Sequence, residues 1–374
     1  IRRSELFNMY TKKIMLNGFR NYEWETVDFS KETNVIYGPN AQGKTNLLEA
    51  VYMLSMGRSF RTRFDRELIG FDYDSAELLA EIESHDRNHD VRIVMQNGLR
   101  KKITVNAVAR KASELSQISN VVLFCPEDLG IIKQGASERR KLLDNAISQI
   151  RPNYAQYLTE FNRYYEQKLK ILKDWREMPS LLDMLDDFSD GVCRMSAKMI
   201  RYRASYAEKL NQKAKEIHAD FSKGEDLEIR YRTVSTVTNP FASEKEIYYE
   251  ILQHQEQHQS AEKESGQCLT GCHKDDLEIF INGKPARSFA SQGQTRTAAL
   301  SIKLAEREID LLEMGEYPIL LLDDVLSELD EKRQEFVLNR IGGGQTLITC
   351  CEDEGISKRT GGKVIQIRDG RIYC

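Results

Sequence analysis

The run Gly38, Pro39, Asn40, Ala41, Gln42, Gly43, Lys44, Thr45 has the spacing Gly, four residues, Gly-Lys-Thr, and it directly follows the apolar triplet Val35, Ile36, Tyr37. That is the P-loop pattern. Its glycines let the backbone curl until successive N–H groups point at phosphate oxygens, and the helix that follows adds the positive end of its dipole. Lys44 is then placed to reach the β- and γ-phosphates and Thr45 to hold magnesium. A turn with a chance lysine is the plainer alternative; the helix-forming run Leu47, Leu48, Glu49, Ala50 argues against it. A second element carries acids, because Ile319 to Leu322 run straight into Asp323 and Asp324. A buried central strand delivers a carboxylate to its C-terminal edge in this way. Asp323 is therefore the expected magnesium ligand, directly or through water. Asp324 is the acid placed to orient an attacking water, shorter than glutamate and hence a slow catalyst.

These groups need a scaffold, and the apolar periodicity describes one. Short runs at Tyr10 to Leu16, Val35 to Tyr37, Ala76 to Ile82, Val91 to Met95, Ile103 to Val105 and Val121 to Phe124 read as strands, with Asn97-Gly98 as a hairpin signal. From Ser137 to about Lys223 the spacing becomes helical, in two stripes punctuated by Pro152 and Pro179, which reads as an antiparallel helical hairpin. The polar stretch Gln253 to Gln267 reads as a solvated loop or frayed helix end. Ile279 to Asn282, Ile319 to Leu322 and Thr346 to Cys350 then read as strands, and Thr295 to Met314 as a helix. The pattern is one α/β domain split by a helical insertion, with no repeat of fixed period.

A chain of 374 residues with 40% hydrophobic and 30% charged residues has ordinary globular usage and room for two or three domains. No window approaches the roughly 18 uninterrupted apolar residues of a membrane span, and Ile1, Arg2, Arg3, Ser4 and Glu5 lack the apolar core of a signal peptide, so no membrane partner and a cytoplasmic location are expected. The seven scattered cysteines suggest reduced thiols. Cys268, Cys272 and His273 lie close together, but no second ligand pair follows at a zinc-site spacing.

The net charge of −4 gives no general affinity for nucleic acid, so local patches decide. Between Val91 and Ser113 stand Arg92, Arg100, Lys101, Lys102, Arg110 and Lys111 with no acid, a local charge of +6. Arg58, Arg61, Arg63 and Arg66 form a second cluster interrupted only by Asp65. Such residues either contact a DNA duplex backbone or simply guard exposed sheet edges. If about six meet phosphates, log affinity falls against log salt with a slope near −5. No aromatic ladder of the kind a single-strand binder uses is evident in the sequence.

Ser291-Gln292-Gly293-Gln294, just before the helix expected from Thr295, resembles the signature motif of ABC-type ATPases, and Ser327-Glu328-Leu329-Asp330 resembles the D-loop that follows the acidic strand there. The order of phosphate loop, insertion, signature and acidic strand strengthens the match. The segments Leu16 to Tyr22, Thr45 to Ala50, Arg58 to Arg61, Pro126 to Leu129 and Gly271 to Leu277 extend it, and together they resemble the RecF family over nearly the whole chain. Two departures stand out: Cys272 replaces a customary proline, and Thr349 is followed by Cys350 and Cys351 instead of a switch histidine.

The resemblance implies an α/β fold, an ABC-type P-loop ATPase head similar to those of Rad50 and SMC proteins, with an antiparallel β subdomain and a helical-hairpin insertion. It implies three parts: 1–135 with the P-loop, 136–266 as the arm, and 267–374 with the signature and acidic strand. ATP and magnesium follow as cofactors, with Gly38 through Asn46 around the nucleotide, Arg20 near it, and Glu127 in a Q-loop position. Ser291 to Gln294 are expected to close over a nucleotide held by a second copy. The implied role is recombinational repair on double-stranded and gapped DNA with RecR, RecO and RecA, through a weak, DNA-stimulated ATPase and an ATP-dependent homodimer. An ATPase subunit of a Rad50-like nuclease complex is the alternative. The short insertion, which holds no Cys-x-x-Cys hook, fits that alternative and the long-armed SMC proteins poorly.

Overall fold

The computed structural model describes residues 9–222, 224–233, 237–352 and 355–373. The residues Ile1 to Glu5, read above for a signal peptide, and Cys374 lie outside them. The chain divides into two compact units, one running to Leu129 and resuming at Ala299, the other spanning Gly130–Ala298.

The first unit holds two six-stranded sheets. One is antiparallel, in the spatial order Tyr22–Asp28, Tyr10–Phe19, Ser75–Ser84, Arg87–Gln96, Lys102–Val105, Val108–Ala109. Asn97 and Gly98 turn the hairpin between its fourth and fifth strands, with Gly98 at φ 73°. The other sheet aligns Val121–Phe124, Ile319–Leu322, Thr346–Cys350, Thr33–Tyr37 and Lys363–Arg368 in parallel, with Arg371–Tyr373 as an antiparallel edge. Its central strands are buried on both faces, which is why Ile319–Leu322 reads as an unbroken apolar run and Thr346–Cys350 shows no polar alternation beyond its two threonines. The helix Lys44–Met56 packs against strands of both sheets, and its Leu47, Leu48, Val51, Met53 and Leu54 join a core drawn from the two.

The second unit is mainly helical. Ala136–Ile150, Pro152–Asp174 and Leu185–Phe221 follow one another, with Pro152 in the first turn of its helix, where its missing N–H costs nothing. Tyr154 meets Tyr202 and Tyr164 meets Phe188, so the two long helices run antiparallel. A three-stranded sheet of Leu227–Arg232, Asp276–Ile281 and Lys284–Pro285 belongs to the same unit. Arg203, almost fully buried, ties the segment around Asp275 to the arm. Its guanidinium donates to Asp144 Oδ1 at 2.8 Å, Asp275 Oδ2 at 3.1 Å and the Cys272 carbonyl at 2.7 Å. Arg139 similarly pairs with Asp276 through two bonds of 2.8 and 3.0 Å. These contacts explain why residues 267 to 298 fall in the compact unit of the arm helices.

The polar stretch from Gln253, read as a solvated loop or frayed helix end, is neither: it continues an ordered helix to Ser265. Glu244–Ser265 is one 22-residue helix, opened by a reciprocal capping box between Ser243 and Glu246 and closed by Gly266 at φ 65°. Its polar residues are partly core residues: Lys168 and Glu262 form an ion pair of 2.8 Å with neither side chain exposed. Gln255 bridges them, accepting from Lys168 at 2.6 Å and donating to Glu262 at 2.7 Å. The second Glu262 oxygen accepts the Leu269 and Thr270 N–H groups. A window of composition registers such residues as solvated because their partners lie far away in sequence.

Removing one member of a buried ion pair leaves the other charge uncompensated. Glu262→Ala is expected to lower unfolding free energy by about 3–5 kcal/mol. Adding Lys168→Met should recover part of that loss; guanidinium unfolding monitored by circular dichroism measures both.

Candidate nucleotide site

Parallel strands bring their carboxyl ends to one edge. At that edge the loop after Thr33–Tyr37 is the P-loop, the residues after Ile319–Leu322 are Asp323 and Asp324, and those after Val121–Phe124 are the turn Pro126–Leu129 with Glu127 exposed. Two glycines are required by geometry. A Cβ on Gly38 would lie 2.1 Å from the Ile367 carbonyl oxygen. Gly43, at φ 118°, precedes the helix and would press a Cβ against Asn21 and the Tyr22 hydroxyl. Tyr22 donates to the Gly43 carbonyl at 2.9 Å, and Asn21 Nδ2 to the Gln42 carbonyl at 2.9 Å. Ala41 takes a left-handed φ of 62°, Gln42 accepts the Asp369 N–H, and Asn40 accepts from the Cys351 thiol at 3.0 Å. Pro39 completes the curl, its carbonyl facing Lys44.

Lys44 is buried, and its ammonium donates to the Gly38 carbonyl at 2.7 Å and the Pro39 carbonyl at 3.1 Å. The cation is thus held inside the curl of its own loop. Thr45 Oγ1 donates to Asp323 Oδ1 at 3.0 Å, joining residues 278 apart in sequence. Thr349 donates to the same oxygen at 2.8 Å and accepts the Asp324 N–H at 2.8 Å. The pairing Leu322 with Ile348 in parallel register puts Thr349 beside Asp323, so Thr349 was recoverable from register though not from motif. Burial raises the Asp323 pKa above its ordinary value, against the lowering effect of the two hydroxyls. Asp324 has φ 51°, and its Oδ1 is buried without a hydrogen-bond partner among the described residues. A raised acid beside an orphaned carboxylate oxygen and a threonine hydroxyl is a donor set that fits a divalent cation.

Arg20 stands beside this loop. It makes a bidentate pair with the buried Glu49 through two bonds of 2.8 Å and donates to the Glu67 carbonyl at 2.8 Å. Asn46 donates to Asn21 at 2.7 Å and accepts from Arg61 at 2.8 Å, and Glu49 also holds Arg61 at 3.6 Å. Glu49 and Asn21 were not singled out; a carboxylate inside an apolar helix is the signal that marks Glu49. On the same edge Ser327 donates to the Asp324 carbonyl at 2.7 Å, and Asp330 caps the helix Glu331–Arg340 by accepting the Arg333 N–H at 3.0 Å.

The signature residues belong to the other unit. Ser291 accepts the Gln294 N–H at 3.2 Å and Gln294 accepts the Ser291 N–H at 2.9 Å, a reciprocal capping box at the start of Gln292–Met314. Gln294 also donates to Glu225 at 2.8 Å, and Gly293 accepts from the Thr297 hydroxyl at 2.9 Å. Ser291 and Gln292 are exposed.

The basic residues are less free than their sequence suggests. Arg92 pairs with Glu77, Lys101 with Asp65 at 2.8 Å and Arg110 with Glu114 at 3.2 Å, so the surplus of +6 shrinks to Arg100, Lys102 and Lys111. Those three and Arg63 are exposed, as is Arg58. Cross-strand and local acids, absent from the window counted, supply the compensation.

The model of the RecF/RecN/SMC N-terminal domain family matches residues 10–369. The DNA replication and repair protein RecF of Clostridium acetobutylicum is 39% identical over 368 residues, 97% of this chain and 99% of its own. That of Acetivibrio thermocellus is 38% identical over 369 residues, 98% of this chain and 100% of its own. A solved structure of the recombination mediator RecF with ATP, from the RecFOR pathway, matches with a TM-score of 0.91 at 35% identity, covering 98% of each chain. The Smc head domain of Pyrococcus furiosus shares the fold, with a TM-score of 0.57 at 19% identity over 98% of this chain and 95% of that one.

An acid whose folded pKa is raised binds its proton more tightly when folded, so it costs stability as pH rises above its ordinary value of 3.8. Asp323→Asn keeps an oxygen for both threonine hydroxyls and removes that cost. The nucleotide-free variant should melt above the parent at neutral pH, and the gain should vanish as pH approaches 3.8; calorimetry across pH 4 to 8 reads it.

Proposed function

The chain belongs to the RecF family of DNA replication and repair proteins, and from that premise we propose that it is an ATP-dependent, self-associating clamp on DNA in recombinational repair. The observation that carries the reading is the gathering of Lys44, Thr45, Asp323 and Asp324 at one sheet edge, together with an exposed signature turn in the other unit. The relative solved with ATP supports the choice of nucleotide.

In this reading ATP binds with its phosphates over the N–H groups of Gly38 to Thr45, and Lys44 leaves the Gly38 and Pro39 carbonyls for the β- and γ-phosphate oxygens. Asn40, Ala41, Gln42 and Asn46 keep the loop in register through the bonds described above. Thr45 and Asp323 would hold magnesium, which offsets the charge of the transferring phosphoryl group. Asp324 orients the attacking water. Its short side chain, with Thr349, Cys350 and Cys351 in place of a switch histidine, supports slow hydrolysis. Glu127 reports on the γ-phosphate, and Arg20 stays anchored to Glu49 as a fixed positive charge beside the nucleotide.

Closure needs a second copy. A serine hydroxyl has one proton to donate and two lone pairs to accept with. Ser291 spends an acceptor on its helix cap, so its proton is left for a γ-phosphate oxygen of the opposing copy, beside the Gly293 N–H, while Ser327 and Asp330 line the seam. Two charge-assisted contacts at each of two sites, at roughly 1.5 kcal/mol or more each, would favour the ATP-bound dimer by about 6 kcal/mol. Arg58, Arg63, Arg100, Lys102 and Lys111 are exposed to meet a duplex backbone, and Arg61, Lys101 and Arg110 can exchange their acids for phosphates. Double-stranded or gapped DNA, RecR and the RecO and RecA steps of the same pathway complete the role. Arm helices of 23 and 37 residues favour this over a long-armed nuclease subunit.

Two substitutions test the reading. Lys44→Ala should lower ATP affinity at least 100-fold, as two charge-assisted phosphate contacts are lost. Ser291→Asp retains a good helix cap but replaces the donor with a negative charge. It should bind ATP as a monomer like the parent and fail to dimerise in analytical sedimentation; a Ser291→Asp protein that still dimerises with ATP refutes the clamp.

A further inference from the structure

Within the second unit the signature turn is held partly by residues outside its motif. Gln294 is where the two meet. Its Oε1 accepts the Ser291 N–H at 2.9 Å, one half of the capping box, and its Nε2 donates to Glu225 Oε1 at 2.8 Å. The other Glu225 oxygen lies 3.5 Å from Nε2 of the fully buried His218, in the last turn of the helix Leu185–Phe221. Backbone bonds fix the place of that carboxylate. The Glu225 N–H donates to the Ser222 carbonyl at 3.1 Å, the Asp226 N–H to Asn282 Oδ1 at 2.8 Å, and the Asn282 N–H back to the Asp226 carbonyl at 2.8 Å.

A glutamine amide has an oxygen that only accepts and a nitrogen that only donates, whereas a carboxylate only accepts. Glu225 therefore admits one orientation of the Gln294 amide, with the nitrogen toward the carboxylate and the oxygen toward the Ser291 N–H. Turned over, the amide would set its own N–H groups against that of Ser291 and open the box. We infer that Glu225 is a positioning residue of the signature, which by fixing the Gln294 amide keeps the Ser291 turn in the capped shape that meets the γ-phosphate of a second copy. The inference rests on the clamp reading given above and adds a reason why an exposed turn holds its geometry before any phosphate arrives, as a preorganised donor must. Charge alone makes the opposite forecast. A positive group in place of Glu225 would attract an incoming triphosphate. By geometry it harms the site, because an ammonium donor draws the Gln294 oxygen to itself and turns the amide over.

The full chain carrying Glu225→Gln, Glu225→Ala or Glu225→Lys separates these forecasts. Hydrogen exchange of the Ser291 amide, followed by NMR without nucleotide, reads the turn, and sedimentation with ATP reads the dimer. Glu225→Gln keeps an acceptor and is expected within twofold of the parent in both. Glu225→Lys is expected to speed Ser291 exchange roughly tenfold, the worth of one ordinary hydrogen bond, and to weaken the dimer at least tenfold, with Glu225→Ala between the two. Monomer affinity for ATP should stay at the parent value in all three. A dimer unchanged or tightened by Glu225→Lys, Ser291 exchange that does not differ across the series, or an equal loss in Glu225→Gln overturns the inference. If circular dichroism shows Glu225→Lys unfolded, Glu225→Ala against Glu225→Gln makes the same comparison. A parent chain that stays monomeric with ATP refutes the clamp, and the exchange series then decides by itself whether Glu225 sets the turn.

Discussion

A strand in a parallel sheet must be followed by a crossover, so every loop at its carboxyl edge shares space with the loops of its neighbours. That constraint organises the nucleotide site. Thr33–Tyr37, Thr346–Cys350 and Ile319–Leu322 come from distant parts of the chain, yet their order in the sheet makes Thr45, Thr349 and Asp323 meet on one oxygen. The bond between Thr45 and Asp323 is the point where the two ends of the first unit become a single site. Strands of four or five fully buried residues suffice, because the burial fixes both their register and the edge at which they stop.

Charge balance at that edge is incomplete, and the imbalance is informative. Lys44 is satisfied by loop carbonyls, which are weaker partners for an ammonium than an anion would be. The carboxylate oxygen of Asp324 has no partner among the described residues, and Asp323 is held partly by hydroxyls and pushed toward its neutral form by burial. A fold optimised only for stability would cross-neutralise a lysine and two aspartates on the same edge. Keeping them apart leaves one group suited to an anion and another suited to a cation, the two parts of a magnesium nucleotide.

Legibility in the sequence followed the range of the interactions. The P-loop, the acidic strand and the signature run at Ser291 are local patterns, and each is visible in a few consecutive residues. The helix Glu244–Ser265 was hidden because Glu262 and Gln255 are polar by type and buried by context, through Lys168 almost ninety residues earlier. The basic cluster was overcounted for the converse reason, since Glu77 neutralises Arg92 from the neighbouring strand and Asp65, on a short helical turn, neutralises Lys101.

The division of the chain into units carries a last consequence. Residues around Asp275 and Asp276 are fastened to arm helices by Arg203 and Arg139, and the strand they open leads within a few residues to the Ser291 turn. The signature turn is thus a property of the arm unit, held by buried ion pairs, whereas Lys44 and Asp323 are properties of the sheet unit. A buried arginine such as Arg203 is weak evidence for stability in its own right. Its four acceptors on three separate segments instead fix one arrangement of the elements that carry the turn, which is what a contact aimed at a single phosphate oxygen demands.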